Sequence, residues 1–327
     1  MLQYIGKRFL STLPLMFMIM VVGFFLMELP PGDYATHYVS EMAAMGTMSG
    51  GETAQQIRQM YALDRPVHER FFKWAWNFLQ GDFGQSFGHN MPVRTLIGDR
   101  LLLTVFLSGM SLIISWVIGI PIGVYSATHQ YKPGDHMFTL IAFLGVGIPD
   151  FMLALVLLVV GTNLLGYVPV GLFSPEFEDA PWTLARLADL MKHIWIPAAI
   201  TAVTQTAGYM RVMRGNLLDV LRLDYIQTAR AKGLREWVII WKHAVRNAIH
   251  PLVMNLGMSF PQIVSSSAIV GMVLNLPIMG PMYLKAVRQQ DVYLAGSFLV
   301  LVTLLLVVGN LVADVLLAWV DPRIRYD

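Results

Sequence analysis

Asp150 stands in the stretch GIPDF inside a long apolar run. A carboxylate at such a position costs about 2.5–3.5 kcal/mol on insertion scales. An acid kept there has few uses. It lines a polar cavity and meets a cationic group on a passing solute, pairs with a polar group on a neighbouring helix, or stays protonated. Gln205, Asn255 and Gln262 also sit in apolar surroundings. Amides there either face a cavity or hydrogen-bond between helices. Gly119 and Gly123 form a G-x-x-x-G pair, the spacing that lets two helix backbones approach closely. Asp314, near the end of the last apolar run, suits helix packing or a membrane boundary. All of these residues recognise or pack; none is a nucleophile with its base.

Bond-making chemistry finds no set of residues. His243 and His250 share a helix face but lie about 10.5 Å apart along it, at about 1.5 Å per residue. Zn–N bonds are about 2.0–2.1 Å, so one ion cannot bind both on a straight helix. The stretch VHERFF at His68 lacks the second histidine of H-E-x-x-H. There is no G-x-S-x-G elbow, no cysteine, and no G-x-x-x-x-G-K-[ST] phosphate loop. The expectation is therefore no catalytic residue, no metal and no cofactor bound by this chain. If ATP drives its work, another chain must hydrolyse it.

The elements that position these residues are membrane helices. Of the 327 residues 56% are hydrophobic and only 13% charged. Ordinary soluble domains have about 45–50% and about 25%, so this chain lacks the charge to cover a soluble core of its size. Six runs reach the roughly 20 apolar residues a span needs: about Phe9–Leu29, Leu101–Ala127, Met137–Leu165, His193–Met210, Pro251–Leu274 and Tyr293–Val320. The first is longer than a signal-peptide core and is read as a retained span. Pro121 and Pro149 are expected to bend the second and third. Arg211, Arg214, Arg222, Arg230, Lys232, Arg235, Lys242 and Arg246 crowd the connection between spans four and five. Lys7, Arg8, Lys132, Arg323 and Arg325 fall on the same side, whereas the opposite short loops hold Arg186, Lys285 and Arg288, with Lys192 at a boundary. Positive charge marks the cytoplasmic side, so both termini are expected inside.

Two polar segments stand out. Residues 31–98 follow span one on the outside, and residues 1–30 and 99–327 form the first helix and a five-helix core. In the outer segment Thr53 and Gln56 suggest a capping box opening a helix through Met60. A second helix begins at Pro66 and stops at Gly81. Its Phe71, Phe72, Trp74, Trp76 and Phe78 suit either the membrane interface or a docked protein. The inner segment, residues 211–250, reads as two helices hinged at Gly233. In the second, Val238, Trp241, Val245 and Ile249 make an apolar face beside a mostly basic stripe of Arg235, Ile239, Lys242 and Arg246. Periodicity leaves two readings of this segment open: a helix resting on anionic lipid, or a docking peg.

The stretch DYIQTARAKGL followed by HAVRNAIHP resembles the EAA-type loop of ABC importer permeases in the peptide and nickel family. LPPGD, ALDRP, GDFGQSF, IGIPIGV, GIPDF and the terminal DPRIRY, in this order, extend the resemblance over nearly the whole chain. It implies an all-α integral membrane protein with the type I ABC importer permease fold of six transmembrane helices and a cytoplasmic coupling helix. The coupling positions would be Gln227, Thr228, Ala229, Arg230, Ala231, Lys232, Gly233 and Leu234. Gln227 departs from the general motif's glutamate, and Asp150 from the small polar residue usual there. The small Ala229, Ala231 and Gly233 would permit close approach, and Gly233 would supply a turn. The implied partners are a second homologous permease subunit, two cytoplasmic ATPase subunits holding ATP and Mg, an external substrate-binding protein, and the lipid of a bacterial inner membrane, with no nucleic acid. Di- and oligopeptides are the expected cargo; nickel chelates, glutathione, opines and some sugars use related permeases. A self-contained secondary carrier or channel would need a chain of intramembrane ionisable groups. Only Asp150 lies deep.

Overall fold

The computed structural model describes residues 2–45, 51–166, 170–178 and 180–320. The terminal DPRIRY stretch and Arg323 and Arg325 lie outside them, as do the side chains of Lys7 and Arg8. Helix α1 (Leu2–Glu28) is followed by α2 (Tyr34–Ala44), α3 (Gly51–Met60) and α4 (Val67–Leu79). Two short antiparallel strands, β1 (Gln85–Ser86) and β2 (Met91–Pro92), precede α5 (Val93–Thr128). Next come α6 (Pro133–Gly147) and α7 (Asp150–Val160), which ends in a π turn, and then α8 (Leu184–Leu221) and α9 (Asp224–Ala231). The helices α10 (Glu236–Val238) and α11 (Val245–Ala248) flank a second π turn at Ile239–Ala244. The chain closes with α12 (His250–Met254), α13 (Leu256–Val273), α14 (Met279–Arg288) and α15 (Val292–Val320).

Among the described residues four helices are long and apolar enough to span a membrane: Leu10–Glu28, Val93–Thr128, Leu256–Val273 and Val292–Leu317. The third expected span is not one straight helix. It breaks at Ile148–Pro149 into α6 and α7, which meet at 97° and together make a fifth candidate span. Pro149 has no N–H to continue α6, so α7 restarts with Asp150 in its first turn. Pro121 does not interrupt α5. The fourth expected span falls within α8, whose Thr201, Thr204, Gln205 and Thr206 make it less apolar than the others. Six spans therefore remain the expectation from sequence.

The chain divides into two compact units, with the division falling inside α5 and α15. One comprises Leu2–Thr104 and Ile278–Leu305. Here LPPGD is a cap: Gly32 takes φ +102°, and the Asp33 carboxylate accepts the Thr36 N–H at 2.8 Å to start α2. Thr53 lies within α3, which begins at Gly51, so it is not that helix's cap. GDFGQSF is a staple. Gly81 and Gly84 have φ +83° and +85°, Phe83 stacks on Phe78, and the Ser86 hydroxyl donates to Asp291 at 2.5 Å. Buried Asp291 also accepts the N–H groups of Gly88 and Leu294, which ties the hairpin to the start of α15.

Asp33 also accepts Arg58 Nε at 2.6 Å. Burial alone would raise its pKa, but hydrogen bonds from Arg58 and Thr36 outweigh this and hold it at about 2, against an ordinary 3.8. A depressed carboxylate stabilises when ionised, so its contribution is full above pH 3.8 and is lost as pH falls through about 2. Hydrogen exchange of α2 is expected to lose protection across that window, and Asp33→Asn to remove the dependence.

The other unit comprises Val105–Pro277 and Leu306–Asp327. Its helices cross closely where glycines meet. A Cβ on Gly119 would lie 2.8 Å from the Thr206 carbonyl, and one on Gly123 2.8 Å from the Met210 carbonyl, so α5 packs backbone to backbone on α8. Gly257 of α13 meets Gly309 and Asn310 of α15 as tightly: a Cβ on Gly309 would lie 3.0 Å from the Gly257 Cα. Two of the buried hydroxyl groups of α5, those of Ser111 and Ser115, find their partners on α8. Ser111 and Thr201 share a hydrogen bond at 2.6 Å, and the Ser115 hydroxyl donates to the Ala202 carbonyl at 3.2 Å. Arg214 of α8 donates twice, at 2.9 Å each, to buried Asp135 of α6. Near the other end of α8, Arg186 lies between the rings of Phe173 and Trp182, at 4.7 and 4.5 Å.

Candidate functional site

Helix α8 and the α12–α13 segment enclose a groove of about 420 Å³ lined by Thr204, Gln205, Gly208, Tyr209, Val212, Asn255, Met258, Ser259 and Gln262. Gln205, from the fourth apolar run, and Asn255 and Gln262, from the fifth, thus face one space. The spacing within α13 explains part of this. Asn255, Met258, Ser259 and Gln262 recur at three- and four-residue intervals, which places them along one side of a helix. Among the described residues no charged side chain lines the groove. The Gln205 Oε1 is buried and has no hydrogen-bond partner among the described residues. An orphan acceptor at a polar surface costs about 1–3 kcal/mol unless a donor reaches it.

Asp150 is not in this lining. It sits one step behind it, where its Oδ1 accepts the Thr204 hydroxyl at 2.6 Å, and Thr204 itself lines the groove. As the first residue of α7, Asp150 also lies at the positive end of that helix, which favours a carboxylate. Tyr209 carried no signal in the sequence. Its hydroxyl meets that of Ser259 at 2.6 Å, joining α8 to α13 at the groove, and its ring rests edge-on against Trp116. Hydroxyls at unremarkable helical positions offer nothing that spacing can detect.

The second cluster comprises α9, the turn at Gly233 and the helical segments from α10 to α12. Gly233 has φ +75°, and no atom lies within 4 Å of where its Cβ would be. Within this chain its role is therefore conformational rather than one of close approach. The Gly233 N–H reaches the Arg230 carbonyl at 2.9 Å and the Leu234 N–H reaches that of Ala229 at 3.3 Å, the paired bonds of a Schellman motif. Ile226 and Ala229 point inward. They join Ile120, Val124, Ala127, Met213, Leu217, Ile239, Ala244, Val245, Ala248 and Leu252 in one buried cluster. Gln227, Thr228, Arg230, Ala231, Lys232, Gly233 and Leu234 point outward. With them are exposed Leu223, Tyr225, Trp237 and Trp241.

The apolar face expected after Gly233 is displaced. Trp241 is exposed, whereas Ile239, expected in the basic stripe, is fully buried. The cause is the π turn at Ile239–Ala244, which carries an extra residue per turn and rotates the face beyond it. Arg235, Lys242 and Arg246 remain exposed, and Arg230 pairs with Glu236 at 2.8 Å.

Helix α8 connects the two clusters. Residues 204–212 line the groove, while Met213 and Leu217 enter the cluster beneath α9, and Asn216 donates to the Ala248 carbonyl at 3.3 Å. From Gln205 to Leu217 is about 18 Å of unbroken helix at about 1.5 Å per residue.

Residues 119–326 match the family described as binding-protein-dependent transport system inner membrane component, and residues 1–108 match the N-terminal region of such membrane components. The chain is 35% identical over 330 residues to the oligopeptide transport system permease protein AppB of Bacillus subtilis, each chain covered in full. It is 32% identical over 327 residues to the oligopeptide transport system permease protein OppB of Haemophilus influenzae, again with full coverage of both. A putative peptide transport system permease protein of Brucella abortus is equally similar, at 32% over 327 residues with both chains fully covered.

Proposed function

The chain belongs to the family of binding-protein-dependent transport system inner membrane components, and from that premise we propose that it carries peptides inward as one of two permease subunits driven by separate ATPases. One observation carries the mechanism: α8 both lines the groove and packs through Met213 and Leu217 on the cluster that seats α9. Movement imposed on α9 reaches the groove through a rigid helix rather than through a loop. The outward residues Gln227–Leu234, with Tyr225, Trp237 and Trp241, form the face that docks on an ATPase. Buried Ile226 anchors that face from behind, a contribution of about 1.5–3 kcal/mol. The second permease subunit completes the path, both termini are cytoplasmic, ATP and Mg stay with the ATPases, and an external binding protein delivers the cargo.

Groove chemistry supports peptides. Amides and hydroxyls offer donors and acceptors to a peptide backbone, the unpaired Gln205 Oε1 accepts an N–H, and flexible Met258 adapts to variable side chains. Asp150 acts behind Thr204, attracting the cationic end of the peptide. Asp150→Asn keeps an acceptor for Thr204 but removes the charge. It is expected to reduce uptake of peptides with a free amino terminus more than uptake of blocked ones. The same fractional change in uptake of both would exclude a charge role for Asp150.

The cargo is tested by adding ligand-loaded binding proteins to the assembled importer and measuring ATP hydrolysis. A peptide-loaded binding protein is expected to stimulate it. Stimulation only by a nickel-chelate-loaded or sugar-loaded protein would overturn the peptide assignment.

A further inference from the structure

Helix α4 has three sides, not two. Glu69, Lys73 and Asn77 recur every four residues and line a pocket of about 300 Å³. Arg70, Phe71 and Trp74 are buried. Phe72, Trp76 and Leu79 form a third side, with 64%, 68% and 77% of their surfaces exposed. A water-borne amphipathic helix has one apolar face, directed at the core. This one has a second, outward and large.

Contacts with α1 set the depth at which that second face lies. The Phe71 ring centroid is 6.3 Å from that of Phe17, 5.5 Å from Phe24 and 6.0 Å from Phe25. Phe71 therefore lies level with the stretch between residues 17 and 25 of the span Leu10–Glu28. Measured from the midpoint of that stretch to Glu28, this is about 10 Å below the end of the span, at about 1.5 Å per residue. Arg70 reaches back along α1 and makes two hydrogen bonds to the Glu28 carboxylate, at 2.9 and 2.6 Å, as a cation placed below the polar boundary does. Phe72 stands beside Phe71 at 5.5 Å, and exposed Phe17 and Phe25 continue the same apolar surface on α1.

We propose that α4 is embedded in lipid: Phe72, Trp76 and Leu79 lie among the acyl chains of the leaflet around the Glu28 end of α1, while Lys73 and Asn77 face water. The occupant follows from continuity with the lipid-facing side of a membrane span, and from an aromatic set suited to the boundary between acyl chains and headgroups. The helix holds the segment between α1 and α5 at a fixed height on the membrane.

The chain has no cysteine, so a single introduced cysteine is the only thiol this subunit carries, and it can be labelled before assembly with the partner subunits. Nitroxide labels at Phe72→Cys, Trp76→Cys, Leu79→Cys, Lys73→Cys and Asn77→Cys would be placed in the complete importer. The complex would be reconstituted in nanodiscs of phosphatidylethanolamine and phosphatidylglycerol. Collisions with oxygen, which partitions into lipid, are expected to exceed those with a water-soluble nickel chelate at 72, 76 and 79, with the order reversed at 73 and 77. Nickel access at 76 equal to that at 73 would place the face in water. Low access to both reagents at 72, 76 and 79 would place it against protein. Either result overturns the proposal.

Discussion

Replacing Gly257 by alanine is expected to strip the purified importer of most of its properly folded permease, although only one methyl group is added. The new Cβ would overlap the Asn310 amide and lie 2.7 Å from the Asn310 backbone nitrogen. A side-chain tip can swing away, but a helix backbone moves only with its helix. Gly123→Ala meets the Met210 carbonyl at 2.8 Å and is expected to act in the same direction. Overpacking of this kind costs about 1–3 kcal/mol, occasionally more. Gly215 is the control, because nothing lies within 4 Å of its Cβ position and it is interior to α8. Gly215→Ala is expected to be neutral or stabilising by up to about 1 kcal/mol, from helix propensity alone. Thermal unfolding and the monodisperse fraction in detergent separate the three variants. Equal behaviour of Gly257→Ala and Gly215→Ala would contradict the close α13–α15 crossing.

The second large effect is at Gly233. Its left-handed backbone costs a residue with a Cβ about 1–2 kcal/mol, and a β-branched one more. Gly233→Val is therefore expected to shift the turn after α9 out of its left-handed form, the one proposed to dock on the ATPase, by a factor of about 5–30 or more. Gly233→Asn should retain most function, because asparagine tolerates the left-handed region. The measurement is copurification of ATPase subunits, together with peptide-stimulated ATP hydrolysis. Because open space surrounds the Gly233 Cβ position within this chain, no clash adds to this backbone strain, and thermal stability of the permease should fall by no more than that strain, about 1–2 kcal/mol and somewhat more for valine. That separates a docking defect from a folding defect. Equal loss in the valine and asparagine variants would show that bulk at the interface matters rather than backbone conformation.

Features that depend on local chemistry were legible in the sequence. Gly233 reads as a turn because a glycine ends a helix-forming stretch, and α9 does end there. Pro149 reads as a bend because proline cannot continue α6, and the 97° break results. LPPGD and GDFGQSF read only as family marks, whereas their structural work is to cap α2 and to hold the β1–β2 hairpin on Asp291. Anything that depends on two distant segments meeting was illegible. Gly257 and Gly309 are each ordinary glycines until α13 crosses α15. Tyr209 and Ser259 are ordinary hydroxyls until their helices share a groove. The buried face after Gly233 was misplaced because a helical repeat of 3.6 has no way to anticipate a π turn. The groove amides were found because an amide in an apolar run stands out, but the sequence did not show that all three face one space.

In the proposed function this chain provides part of a path but not the power. Purified chain alone and the complete complex with its second permease, ATPases and binding protein would be reconstituted into vesicles, and labelled peptide uptake measured with and without ATP. No uptake by the chain alone, and ATP-dependent uptake by the complex, is the expected result. Peptide flux through vesicles that contain only this chain would contradict it.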